Sequence, residues 1–316
     1  MNRYIIILCA IWSLCFSAEG QQERQYSQFM YTKLAINPAF AGNLPSFSLS
    51  GLYRNQWLGI PGAPVTQLIS ANIPLMDQRV GLGANLIHSS IGISDMWTLS
   101  GMYAYRLPVG EGFISGGMEG SLRYYGVNYN DGRLIADQDL SIDNAVVKEN
   151  VSKYVPNVGL GIYYSDPNFY IGLSAPRLIS SKIDFKDNLL VSREVIHLYA
   201  MAGYSIPLRD EVFLTPQVLV KYAKNAPISA DANIMVDFAT KFNAGVSYRS
   251  GNINNPIGES IDLLLGFKIM PPVFLGLAYD IPFGELGRYN KGSLELMLRY
   301  MVPADDKSDV QNPRFF

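Results

Sequence analysis

Two histidines, His88 and His197, are the only imidazoles in the chain. They stand far apart and neither has a second ligand at a spacing such as H-x-x-x-H, so both read as satisfied wall or loop histidines rather than as metal ligands. Asp137, Asp139 and Asp143 fall close together between 126 and 153 and could gather around calcium, although a solvated acidic loop is the simpler reading. No G-x-S-x-G, no G-x-x-x-x-G-K-[ST] and no helix-opening G-x-G-x-x-G occurs. Gly81-x-Gly83 and Gly159-x-Gly161 lie in strand-like stretches, where glycine marks curvature or a close backbone approach more often than a phosphate site. The expectation is therefore no catalytic residue, no cofactor, no metal, and a protein that is not an enzyme.

The elements that carry these residues are set by composition first. The chain has 316 residues, 48% hydrophobic and 16% charged, with Tyr 20 and Phe 15, which is too apolar and aromatic for disorder. A net charge of −2 offers no basic excess for nucleic acid. Met1-Asn-Arg3, an apolar stretch over 4–16 and Ala18-Glu-Gly20 make residues 1–20 a signal peptide cut after Gly20. Cys9 and Cys15 lie inside it, so the exported protein is expected to hold no thiol. Beyond it no apolar run reaches the roughly eighteen residues of a spanning helix.

From Ser46 to Met301 the signal is period two, interrupted by turn residues about every ten positions. It predicts an all-β fold, a transmembrane antiparallel barrel of about fourteen strands of outer-membrane type. The expected strands run from 46–55 and 65–73 through 168–175, 195–206 and 211–222 to 272–281 and 292–301. Links after even-numbered strands are short, such as Ala239-Thr240 and Met270-Pro271, and those after odd-numbered strands are longer on the whole, such as 126–153 and 176–194. Turns on one end and loops on the other mark an outer-membrane barrel with its turns in the periplasm.

Charges sort to one face of their strands: Glu119 with Arg123, Asp231 with Asp237, Asp262 with Lys268, Glu295 with Arg299. A charge in lipid at the midplane costs about 2–4 kcal/mol, so these faces are expected to point at a polar lumen. Tyr53, Trp97, Tyr103, Tyr105, Tyr222, Tyr248, Tyr279 and Tyr300 fall on the opposite face, toward strand ends, where rings can reach the headgroups. On this reading Leu263→Arg should impair insertion far more than Asp262→Arg. An open edge in hydrocarbon is untenable, so the last strand must pair with the first. Residues 46–301 then form the barrel, 21–45 a periplasmic N-terminal arm or plug, and 302–316 a periplasmic C-terminal tail.

The arm and first hairpin carry the most distinctive residues: Gln25-Tyr-Ser-Gln28-Phe-Met30, Leu34-Ala-Ile-Asn37-Pro-Ala-Phe-Ala-Gly42, Arg54-Asn-Gln56-Trp57-Leu-Gly59 and Pro61-Gly62-Ala-Pro64-Val-Thr66. Asn37-Pro38 imposes an extended conformation and a turn, and Gly42 permits a tight entry into the first strand. With Gly81-Leu-Gly83, Tyr103-Ala-Tyr105 and Leu294-Glu-Leu-Met-Leu-Arg-Tyr300, the combination resembles the PorP/SprF family of outer-membrane proteins associated with the type IX secretion system.

The resemblance implies a non-enzymatic barrel that binds, helps export or anchors a secreted surface protein, such as a gliding adhesin, through that protein's type IX C-terminal domain. Periplasmic components of the secretion machine and outer-membrane lipid are the other implied partners. Gln28, Asn37, Pro38, Phe40, Gly42, Arg54, Gln56, Trp57 and Gly59 are the candidate partner-binding or plug residues. For Arg54 and Trp57, a binding anchor, the interface belt and lumen pairing are alternative uses. A general diffusion porin or hydrophobic-solute channel would use the same strand pattern and is the rival reading.

Overall fold

A computed structural model describes residues 23–129, 151–181, 183, 194–224, 226–239, 241–250, 258–283 and 286–303. The expected signal peptide, the three loop aspartates and most of the C-terminal tail lie outside the described residues.

The alternating segments form fifteen strands in one antiparallel sheet that closes on itself. They are β1 (Ser48–Asn55), β2 (Val65–Leu75), β3 (Val80–Ile91), β4 (Ser94–Val109), β5 (Gly112–Val127), β6 (Val151–Ser165), β7 (Phe169–Ala175) and β8 (His197–Tyr204). The round continues with β9 (Ile206–Arg209), β10 (Val212–Ala223), β11 (Ser229–Phe238), β12 (Phe242–Ser250), β13 (Ser260–Met270), β14 (Val273–Pro282) and β15 (Ser293–Met301). Both β8 and β9 pair with β10 and occupy one position in the round, so the barrel has fourteen staves. The break at Ser205 and the addition of Ile206–Arg209 revise the expected single strand 195–206. Pro207 reads as a breaker in sequence, yet it takes a ladder position opposite Phe213 beside a register shift, where a missing N–H is tolerated.

Closure runs through β1 and β15, with Ser48 opposite Met301 and Asn55 opposite Leu294. Among the described residues, short turns such as 110–111 and 271–272 join strands at one end of the barrel, the turn end, and the strand ends that bound 56–64, 128–150, 176–196 and 283–292 lie at the other, the loop end. The loop end has one tight link of its own, Gly92-Ile93, where Gly92 takes a φ of 57°.

Side chains divide across the wall as the pleat requires. Tyr53, Trp97, Tyr103, Tyr105, Tyr222, Tyr248, Tyr279 and Tyr300 are exposed on the outside, together with Leu263 and Leu265. Glu119, Arg123, Asp231, Asp262, Glu295 and Arg299 are buried inside. The inner charges do not face water, however. Arg249 of β12 lies 3.0 Å from Asp231, 3.3 Å from Asp262 and 3.3 Å from Asp280. A cation at position 262 would meet Arg249, so Asp262→Arg carries a cost of its own beside the larger one expected of Leu263→Arg: this part of the lumen is packed and these charges are paired.

Candidate functional site

The lumen holds the chain's own N-terminal arm. Its residues form three single-turn 3-10 helices, Phe29–Tyr31, Lys33–Ala35 and Pro38–Phe40, and most of its side chains are buried. Asn37 explains the last turn: its extended backbone and side-chain oxygen cap the turn at Ala39 N, with Pro38 in the first position. The same side chain donates to the Ile162 carbonyl at 3.0 Å and lies 3.4 Å from that of Leu173, bridging β6 and β7.

The arm runs the length of the barrel. At the loop end Arg24 reaches Ser89 and Thr98, and Glu23 pairs with Arg123 and Arg177. One turn deeper, the Ser27 and Gln28 amides donate to the Glu295 carboxylate at 3.0 and 2.9 Å. Arg299 then donates to the Tyr31 carbonyl, Asn85 to that of Leu34 and Ser174 to that of Ile36. At the turn end Gly42 donates to Asn72 at 2.7 Å and accepts from Arg106 at 2.7 Å, before the chain turns back into β1. The described start of the arm, Glu23, thus lies at the loop end of the lumen, opposite the turn end where Gly42 leads into β1.

The wall is shaped to receive it. Cβ atoms built on inward-facing glycines would overlap the arm: at Gly81 the backbone of Ala41 and Gly42, at Gly117 that of Ala39, at Gly161 the Asn37 side chain and at Gly276 that of Gln28. Phe29, Leu34, Phe40 and Leu44 join Met102, Tyr163, Tyr170 and Met201 of the wall in one apolar cluster. Lys33, 1% exposed, sets its ammonium 3.5 Å from the Tyr170 ring centroid. Cavities of about 20 and 30 Å³ remain between arm and wall at two places, each room for a water or two.

The candidate residues therefore separate into two groups. Gln28, Asn37, Pro38, Phe40 and Gly42 are buried in the lumen, and Arg54 joins them, 2.7 Å from the Ser27 hydroxyl and 2.7 Å from Asp280. For Arg54 the lumen-pairing alternative is the one observed. Gln56, Trp57 and Gly59 stand in the 56–64 loop, which pairs through Leu58 with Lys291 and Gly292 above the closing strands. Trp57 is exposed and has a φ of 51°, uncommon for a bulky residue.

Glu295 and Arg299 announced themselves by their face, but their arm partners did not. Asn72, Asn85 and Arg106, which hold the arm's backbone, carried no signal beyond being polar on the inner face. Among the described residues no cluster of His, Asp or Glu could hold a metal. His88 is 2.9 Å from Asp95 and stacked on Trp97, and His197 is 2.8 Å from the Val195 carbonyl.

Comparison with known structures finds the same architecture. The CymD monoaromatic hydrocarbon channel aligns with 90% of this chain and 95% of its own, at 12% identity and a TM-score of 0.51. A TodX monoaromatic hydrocarbon channel mutant aligns with 88% and 94%, at 10% identity and 0.51. Omp33 of Acinetobacter baumannii aligns with 81% and 97%, at 10% identity and 0.47. At these identities the likeness concerns the fold alone. No curated protein sequence matches the chain significantly. Residues 18–300 match the family described as type IX secretion system membrane protein PorP/SprF. With strands that close into a barrel and a match over nearly the whole length, the chain belongs to the PorP/SprF family of type IX secretion membrane proteins and is an outer-membrane β-barrel.

Proposed function

We propose that this barrel holds a specific secreted surface protein at the outer membrane, engaging the C-terminal domain that routes its client through the type IX machine. Its turns face the periplasm and its loops the exterior, so the client side is the loop end, where Trp57 is displayed. The observation that carries this reading over a diffusion channel is the arm. A chain that runs from Glu23 to Gly42 through the lumen, seated in glycine recesses and hydrogen bonded along its backbone, fits a scaffold better than a solute path. Family membership supplies the link to secretion.

Two measurements test the proposal. Purification in mild detergent followed by mass spectrometry should recover a large exported protein carrying a type IX C-terminal domain, and Trp57→Ala should reduce that recovery. In planar bilayers the intact protein should show no large steady conductance. A steady open pore with no copurifying client would favour the channel reading that the names of CymD and TodX suggest.

A further inference from the structure

The arm's apolar side chains pack mainly on β4–β8 and β10, but hydrogen bonds from side chains to it gather at the seam where the barrel closes. Arg54 of β1 stands opposite Glu295 of β15, and Ser50 opposite Arg299. Both cross-seam pairs are completed by the arm. Glu295 accepts from Arg54 at 3.1 Å and from the Ser27 and Gln28 amides, while Arg299 donates to Ser50 at 3.3 Å and to the Tyr31 carbonyl. Asp280 of the neighbouring β14 takes the Ser27 hydroxyl at 2.6 Å and Arg54 at 2.7 Å. Tyr26 of the arm packs with Leu52 of β1, Phe274 of β14 and Met297 of β15 in a single cluster spanning the same seam.

At Glu295 and Asp280 the donors come from the beginning of the chain and the acceptors from its end, whereas Arg299 donates the other way, to Ser50 and Tyr31. Ser27 and Arg54 are 27 residues apart, whereas Arg54 and Glu295 are 241 apart. Bringing distant segments together carries an entropy cost that rises with the logarithm of their separation. The short β1, eight residues, offers little ladder to offset it. Glu295 and Asp280 end 0% and 3% exposed, which is costly for a carboxylate until its donors are in place. A preassembled arm and β1 present those donors together, before the last hairpin arrives.

From this we infer that the arm is a closure template: it seats on β1 and captures the β14–β15 hairpin through Glu295 and Asp280, so that it acts while the barrel forms as well as filling it afterwards. Contacts formed in the closing transition state change the closing rate, and contacts formed later change the opening rate. The full-length chain, refolded from urea into lipid vesicles and followed by the mobility shift of unheated barrels on gels, separates the two. Ser27→Ala and Glu295→Gln should each slow closure, by roughly tenfold for Glu295→Gln, and leave opening nearly unchanged. Arg106→Ala, which frees the arm at the turn end and away from the seam, should speed opening and leave closure nearly unchanged. If Glu295→Gln fails to close at all, its closing rate has been lost, and Ser27→Ala supplies the graded value. Unaltered closure in both seam variants, or a slowing by Arg106→Ala equal to theirs, would overturn the inference.

Discussion

The two faces of the barrel wall use glycine for opposite reasons. On the inner face, Gly81, Gly117, Gly161 and Gly276 sit where a single added carbon would overlap the arm. On the outer face, Gly51, Gly101, Gly116 and Gly120 have nothing within 4 Å of the place a Cβ would occupy. The inner glycines are recesses cut to a particular partner, and the outer ones are under no such constraint from the protein. The same division governs the larger residues. Leu264 faces inward against Met30 and Met235, while Leu265 beside it is exposed to the membrane. The inner face is thus a core in the ordinary sense, with fixed neighbours, whereas the outer face has only to be apolar.

That contrast is broken most forcefully by a charge. Leu265 pairs with Ala244 and Leu277, within the apolar band, and Leu265→Arg should destabilise the barrel by about 2–4 kcal/mol in urea unfolding from vesicles. A fully tolerated arginine there would mean that the face assignment is wrong. Truncation sharpens the comparison by reversing it: Leu264→Ala should cost about 2–5 kcal/mol through a cavity, and Leu265→Ala much less, because lipid refills the space. Equal losses would mean the inner face is not packed as a core.

Next in size is the fit of the arm itself. Gly161→Ala puts a methyl group into the Asn37 side chain and should cost about 1–3 kcal/mol. Asn37→Ala removes a cap and a bridge between β6 and β7, for a loss of about 1–2 kcal/mol. Because the two changes act at one contact, their effects should not add. In the double variant Asn37→Ala makes room for the methyl group, and stability should lie close to that of Asn37→Ala alone. Full additivity in the same unfolding assay would place the two residues in separate interactions.

These contacts also show where sequence reading succeeds and stops. Strand positions were legible because a two-residue period reports which face is polar and which is greasy, and Asp262 and Leu263 disclose their sides without any neighbour being known. Glycines at 81, 83, 159 and 161 could be read as close approaches, but nothing said what approached. The arm has no period: three single turns broken by Thr32 and Asn37 leave no pattern that distinguishes a loose lead-in from a threaded core. Its path depends on contacts more than a hundred residues away, such as Asn37 with Ile162, and no local rule encodes them. Ser205 escaped for the same reason, since the stave is interrupted where its backbone N–H turns to the Asn168 carbonyl.

The smallest effect is the one that tests the outer face most directly. Gly101 and Gly120 are register partners, and glycine in a strand carries a backbone-entropy cost of about 0.5–1 kcal/mol relative to alanine. With open space beyond both, Gly101→Ala and Gly120→Ala should each leave the barrel unharmed or stabilise it by up to that amount, in contrast to Gly161→Ala across the wall. Paired unfolding curves in vesicles of one lipid composition would read the difference. If alanine at 101 or 120 were as damaging as at 161, the outer surface at this level would have to be a fitted contact too, and the distinction between a keyed inside and a permissive outside would fail.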